Sequence, residues 1–262
     1  DYEYKINLGG NGEFKKLSDD INTITDGLKI AVQNKVKSER LKSELITNVS
    51  HDIKTPLTSI ISYVDLLKRE GLESPNAPKY LDVLDRKSNR LKVLTEDLFE
   101  AAKVTSGSIA VNFDKVNINS LVSQVLGELD EKIQESELDF KVSASEERIY
   151  AYADGRLLSR VMENLLSNIF KYALKGSRVY IDMSIKDKEV TVCFKNVSAY
   201  ELNIPADELM GRFKRGDESR SSEGNGLGLA IAKSLMEIQK GNLEISIDGD
   251  LFKAEIYLKA FR

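Results

Sequence analysis

The chain has 262 residues, 41% of them hydrophobic and 31% charged, enough to bury a real core and to divide into more than one structural unit. Its net charge of −4 comes from 38 basic and 42 acidic residues mixed along the whole length, so no basic block announces nucleic-acid binding or attraction to a membrane surface. A single cysteine, Cys193, excludes an intrachain disulfide framework, and no run of about 18 apolar residues offers a bilayer span.

From Glu13 to about Arg69 the apolar residues Phe14, Leu17, Ile21, Ile24, Leu28 and Ala31, then Ile46, Val49, Ile53, Leu57, Ile60, Val64 and Leu67, recur at coiled-coil steps of three and four. Turn chemistry follows between Gly71 and Pro78. A further helix with the seam Leu81, Leu84, Leu91, Leu94 and Leu98 stops near Ser106-Gly107. Two long helices joined by a short turn make an antiparallel hairpin whose apolar stripes are each half covered, so a second copy completing a four-helix bundle is expected, and with it a homodimer.

Beyond Gly107 the elements shorten. The pattern predicts a helix over Ile118 to Ile133, strands near Leu138 to Val142 and Arg148 to Tyr152, and a helix from Asp154 to about Leu174. Strands then follow at Ser177 to Ile185 and Glu189 to Lys195, with an irregular stretch to Gly224 and a helix from Leu227. Strands Asn242 to Asp248 and Leu251 to Leu258 close the chain as a hairpin across Asp248-Gly249-Asp250. The fold class is therefore multidomain α+β, a helical hairpin ahead of an α/β sandwich. Cys193 sits in the apolar strand run Val190, Val192, Phe194 and reads as a buried structural thiol.

The lone histidine, His51, stands in Asn48-Val49-Ser50-His51-Asp52-Ile53-Lys54-Thr55-Pro56-Leu57. At about 100° per residue it lies roughly 160° from the apolar seam, which directs it to solvent together with Thr55 one turn on. Pro56 removes the backbone donor to the Asp52 carbonyl and is expected to kink the helix there. An imidazole beside a carboxylate is a competent nucleophile, because the carboxylate can hold one ring N–H and leave the other nitrogen's lone pair free.

The helix from Asp154 places Asn164, Asn168, Lys171 and Tyr172 within an arc of roughly 100°, opposite Leu158, Met162, Leu165, Leu166, Ile169 and Ala173. An amide oxygen is a hard ligand for Mg²⁺ and a lysine supplies a point charge for phosphate, although a solvated polar face looks the same. Glu223-Gly224-Asn225-Gly226-Leu227-Gly228 then runs into an apolar helix, so backbone N–H groups and the helix dipole can meet an anion. No strand precedes these glycines. The polar stretch from Arg212 to Ser222 does, which suits a lid better than a dinucleotide-binding turn.

Together these residues resemble the bacterial sensor histidine kinases over nearly the whole chain. Ser50 to Leu57 is similar to the family's H-box, Asn164 to Tyr172 to its N-box, Arg212-Phe213-Lys214-Arg215 to its F-box and Gly224 to Gly228 to its G2-box, while residues 1–36 are similar to the end of a HAMP module and its signalling coiled coil. The resemblance implies a dimerisation and histidine-phosphotransfer domain over residues 37–109 and a Bergerat-type (GHKL) ATP-binding domain over 110–262. His51 would be the phosphoacceptor, Asp52 the acid that orients it, and Thr55 the residue that positions water when the partner is dephosphorylated. Asn164, Asn168, Lys171, Tyr172, Asn196, Arg215, Gly224, Gly226, Leu227 and Gly228 would bind ATP, with Asn168 holding Mg²⁺. The implied partners are a second copy of the chain and a response-regulator receiver domain. No nucleic acid is expected, and a place on the cytoplasmic side of a bacterial membrane would come only through a region preceding Asp1.

One departure bears on nucleotide recognition. The family's G1-box has an Asp and two glycines where this chain has Asn196, Ser198 and Tyr200. An asparagine oxygen can accept a hydrogen bond from the adenine amino group but lacks the carboxylate's charge, which predicts weakened adenine recognition. Two alternatives follow. A GHKL ATPase of the gyrase and chaperone type would carry a water-activating Glu where Asn164 stands, and a nucleotide-poor scaffold or phosphatase-only receptor would explain the altered G1 region.

Overall fold

The computed structural model of the chain describes residues 13–105, 108–143, 148–202 and 226–261, and within these the side chains at 13, 14, 30, 31, 33–51 and 105 are not described. Two compact units, Asp1–Ser88 and Asn89–Arg262, divide the chain.

In the first unit, helix α1 (Glu13–Glu70) runs 58 residues and stays helical through Pro56, which is buried. One missing N–H bond in so long a helix does not end it. The helix stops at Gly71, which adopts φ +80° and donates its N–H to the Leu67 carbonyl at 2.9 Å, a left-handed terminus that glycine adopts without steric cost. Glu70 ties the turn together: one carboxylate oxygen accepts from Ser74 Oγ at 2.8 Å and Asn76 Nδ2 at 3.3 Å, and the other from Tyr80 OH at 3.0 Å. Those hydrogen bonds, Ser74's first, hold its carboxyl below the usual glutamate value. Helix α2 (Ala77–Thr105) starts there and packs Tyr80 against Tyr63 with ring centroids 5.6 Å apart. Along the expected seam Leu57 and Leu81 are 43% and 51% exposed, whereas Pro56, Ala77 and Val83 are buried, so within one chain an apolar stripe remains uncovered.

The second unit holds the rest of α2 and an α/β module. Strand β1 (Asp114–Asn117) pairs antiparallel with β3 (Tyr150–Ala153). The five-stranded sheet has the order β2-β4-β5-β7-β6, from β2 (Asp139–Ser143), β4 (Arg178–Lys186), β5 (Glu189–Val197), β6 (Asn242–Asp248) and β7 (Leu251–Lys259). β2 is parallel to β4 and every other pairing is antiparallel. Alternate residues bury one face, as in Val190, Val192 and Phe194 beside Ala254, Ile256 and Leu258. Helices α3 (Ile118–Glu128), α5 (Gly155–Tyr172) and α6 (Gly228–Ile238) each bury one apolar stripe, which completes a two-layer sandwich.

Two local expectations change. The helix expected over 118–133 is two pieces, α3 and α4 (Asp130–Glu135), separated at Leu129 with φ −106° and ψ 11°. Gly127 weakens the last turn of α3, and Asp130 and Glu131 favour a fresh helix N-terminus. Strand β1 has no counterpart in the expected elements, because Asp114-Lys115-Val116-Asn117 has one apolar residue and no alternation to read. Cys193 is buried as expected, but on the face opposite Val192 and Phe194, paired across the sheet with Asp182 and Glu255. Burial first, and then the Glu255 charge, push its thiol up to about 11.

Candidate active site

The helix that carries the site is fixed at its start by a buried carboxylate. Asp154, 4% exposed, accepts the N–H groups of Arg156 at 3.0 Å, Leu157 at 3.2 Å and Asn112 at 3.0 Å. The first two are N-cap bonds. Its own N–H donates to Gln239 Oε1 at 2.9 Å, and Gln239 Nε2 donates to the Leu235 carbonyl, so the start of α5 is keyed to the end of α6. An Asp ahead of an apolar periodic run is a legible cap signal, whereas nothing in the spacing singles out Gln239.

Along α5 the polar edge goes from enclosed to open. Asn164 is 8% exposed, Asn168 and Tyr172 are half-buried and Lys171 is exposed. Asn164 therefore does not share a solvated edge with Lys171. It lies against the first residue of α6, where a Cβ on Gly228 would sit 3.5 Å from its Oδ1. Its Nδ2 is buried without a partner among the described residues.

Before α6, Gly226 adopts φ +63°, a conformation that costs an L residue on the order of 1 kcal/mol or more. Among the described residues no side chain caps the first turn of α6, which leaves its backbone N–H groups suited to an anion. Leu227 is fully buried, and anything it gives a ligand comes from its backbone. Arg215 and Gly224 lie outside the described residues, as does the whole stretch 203–225.

The end of β5 meets the end of α5. Leu174 N–H donates to the Val197 carbonyl and Ala199 N–H to the Tyr172 carbonyl, both at 2.8 Å. Asn196, 3% exposed, closes the buried row Val190, Val192, Phe194, between Val179 on β4 and Phe252 on β7. Its Nδ2 donates to the Val197 carbonyl at 3.2 Å while Oδ1 is buried with no partner among the described residues. After it the chain manages without glycines: Ser198 N–H donates to the Asp250 carbonyl at 2.8 Å, and Ser198 Oγ accepts from Tyr200 N–H at 3.1 Å. Two buried amides with unsatisfied polar atoms, Asn164 on α5 and Asn196 on β5, are suited to a polar ligand.

On α1, His51 lies within the helix as expected, and its side chain is outside those described. Around it Asp52 is half-buried, and Lys54 and Thr55 are exposed. Sequence reasoning passes over Arg160, one turn before Asn164. Its guanidinium reaches Glu100 at 2.8 Å, Glu163 at 3.2 Å and Asp97 at 3.4 Å, so the last turns of α2 are paired to α5. Burial works against the Arg160 charge, but the bonds to Glu100 and Glu163 outweigh it and hold the guanidinium above its ordinary value.

Residues 41–107 match the His Kinase A (phospho-acceptor) domain, and residues 153–260 match the Histidine kinase-, DNA gyrase B-, and HSP90-like ATPase family. The sensor protein VanS of Enterococcus faecium is 30% identical over 88% of this chain and 60% of its own length. The sensor histidine kinase WalK of Bacillus subtilis is 27% identical over 83% of this chain and 37% of its own length. The chain thus spans between about a third and three fifths of these two relatives. Among solved structures, histidine kinase ThkA in complex with response regulator protein TrrA superposes with a TM-score of 0.66 at 20% identity, covering 88% of this chain and 66% of that one. A phosphoacceptor helix followed in the same polypeptide by a GHKL nucleotide fold defines a protein that carries both its phosphate acceptor and its ATPase module. The chain belongs to the bacterial sensor histidine kinases.

Proposed function

We propose that this chain autophosphorylates His51 from ATP and passes the phosphoryl group to an aspartate of a response-regulator receiver domain. The observation that carries the reading is the order of the two family matches, with His51 inside the first and Asn164, Asn168 and Gly226 to Gly228 inside the second. It also sets aside the stand-alone GHKL ATPase, which has no need of a phosphoacceptor domain.

In this reading Asn196 Oδ1 accepts from the purine amino group, and Asn164, Tyr172 and the start of α6 enclose the sugar and phosphates. Lys171, exposed at the open end of the helix, reaches phosphate, and Arg215 and Gly224 complete the grip. The residues fit Mg²⁺ through an amide: among the described residues no three His, Cys, Asp or Glu side chains converge, so Asn168 Oδ1 and phosphate oxygens are the hard ligands on offer. When bound, Mg²⁺ neutralises the charge on the phosphates. Asp52 holds one ring N–H of His51, the opposite nitrogen attacks the γ-phosphorus in line, and ADP leaves. Thr55, exposed one turn on, positions water for dephosphorylation of the receiver.

We further infer domains at 37–109 and 110–262, behind a HAMP-like segment at 1–36. A homodimer would cover Leu57 and Leu81 in a four-helix bundle. Among the described residues no helix is long and apolar enough to cross a membrane, so a membrane location would come through a preceding region. The test is ³²P incorporation from γ-labelled ATP: acid-labile, alkali-stable label in the wild type, absent in His51→Gln, supports the kinase. Nucleotide binding without label would favour a phosphatase-only receptor, for which the altered residues at 196, 198 and 200 are the motive.

A further inference from the structure

Asn196 is the one buried polar side chain at the end of an otherwise apolar row on β5, and its amide is anchored on one side only. Nδ2 donates to the Val197 carbonyl over 3.2 Å, a long bond, and that carbonyl already accepts Leu174 N–H at 2.8 Å. Rotating the amide by half a turn therefore leaves no carbonyl stranded. In one orientation the side chain offers an acceptor to the site, and in the other it offers an N–H donor. A carboxylate at this position could only accept.

We propose that Asn196 makes the nucleotide site tolerant of 6-oxopurine triphosphates, the chemical class of ITP and GTP, alongside adenine nucleotides. This rests on the reading above in which Asn196 faces the purine 6-position. A 6-amino group meets Oδ1, and a 6-oxo group meets Nδ2 after the half-turn. The half-turn gives up one neutral hydrogen bond and turns Oδ1 toward the Val197 carbonyl oxygen, so ATP should be preferred over ITP by a factor of roughly ten to thirty. In Asn196→Asp no donor exists for the 6-oxygen and a buried charge faces it, so the preference should widen to on the order of a hundredfold or more.

Isothermal titration of the full chain with Mg²⁺ and ATP, and separately with Mg²⁺ and ITP, measures the ratio. ITP is the probe because it changes the 6-position without adding a 2-amino group. A wild-type ATP-to-ITP ratio below about fiftyfold, widening in Asn196→Asp, is the expected result. ATP binding with a wild-type ratio above that overturns the inference and leaves the ATP site standing, as does a ratio that Asn196→Asp leaves unchanged. No heat from either nucleotide at millimolar concentration overturns the ATP site itself and the inference with it. The wild-type ratio decides the matter even where the aspartate variant does not fold.

Discussion

Replacing Asp154 with alanine removes the carboxylate that accepts the Arg156, Leu157 and Asn112 N–H groups in a position 4% exposed. Loss of an N-cap costs about 1 kcal/mol, and the Asn112 bond to a charged acceptor about 1.5–3 kcal/mol more. Part of that returns because a buried carboxylate no longer has to be desolvated, which leaves roughly 2–3 kcal/mol. Urea unfolding followed by tyrosine fluorescence reads it: Tyr150, Tyr152, Tyr172, Tyr180, Tyr200 and Tyr257, six of the ten tyrosines, lie in the second unit. With a slope of about 2 kcal/mol per molar urea, the midpoint of that transition should fall by about 1 M in Asp154→Ala. Asp154→Asn keeps an N-cap oxygen and loses only the Asn112 bond and the charge, so it should fall about half as far. A loss below about 0.5 kcal/mol in Asp154→Ala, or equal losses in the two variants, would refute the view that this cap fixes the start of α5.

Asn168→Ala should weaken ATP binding in Mg²⁺ by at least the roughly tenfold that loss of an outer metal partner produces, and leave binding in EDTA unchanged. An equal loss in both buffers would mean that the amide serves something other than metal. For Cys193 the folded thiol titrates at about 11, above the unfolded value, so its contribution to stability is complete below that unfolded value and is lost as pH rises through about 11. Denaturation from pH 8 to 11 should show the wild type losing stability relative to Cys193→Ala, and parallel profiles would contradict the burial argument. Thr55→Ala should retain autophosphorylation and slow receiver dephosphorylation on the order of a hundredfold, the scale set by a mispositioned reactant. Parallel loss of both activities would remove Thr55 from the water-positioning role.

The long elements are legible because their periodicity is strong. α1 is expected to run to about Arg69 and is helical to Glu70, and the core stripe of α5 is the predicted one from Leu158 to Ile169. What escapes are features that depend on contacts distant in sequence. Asn164 shares its arc with Lys171 yet is buried, because α6 arrives over it some sixty residues later at Gly228. Gln239 just past the end of α6 and Arg160 within α5 sit in unremarkable positions, and their partners Asp154 and Glu100 lie 85 and 60 residues away. Helical arithmetic gives a residue's direction on its own helix, and only tertiary packing decides whether that direction is covered. Cys193 shows the same limit: burial is readable from its strand, but the flanking carboxylates of Asp182 and Glu255 come from the pairing register.

One imidazole on the long helix receiving phosphate from the nucleotide bound by the second unit is the event on which the proposed function turns. Mass spectrometry at alkaline pH on the tryptic peptide of residues 43–54, taken after incubation with Mg²⁺ and ATP, tests it directly, since this peptide contains Ser43, Thr47, Ser50 and Asp52 beside His51. Phosphohistidine at His51 is the predicted result, with at least about tenfold less in the Asn168→Ala chain at limiting nucleotide. Phosphate on a neighbouring hydroxyl, or a peptide without phosphate while ATP is consumed, would contradict it.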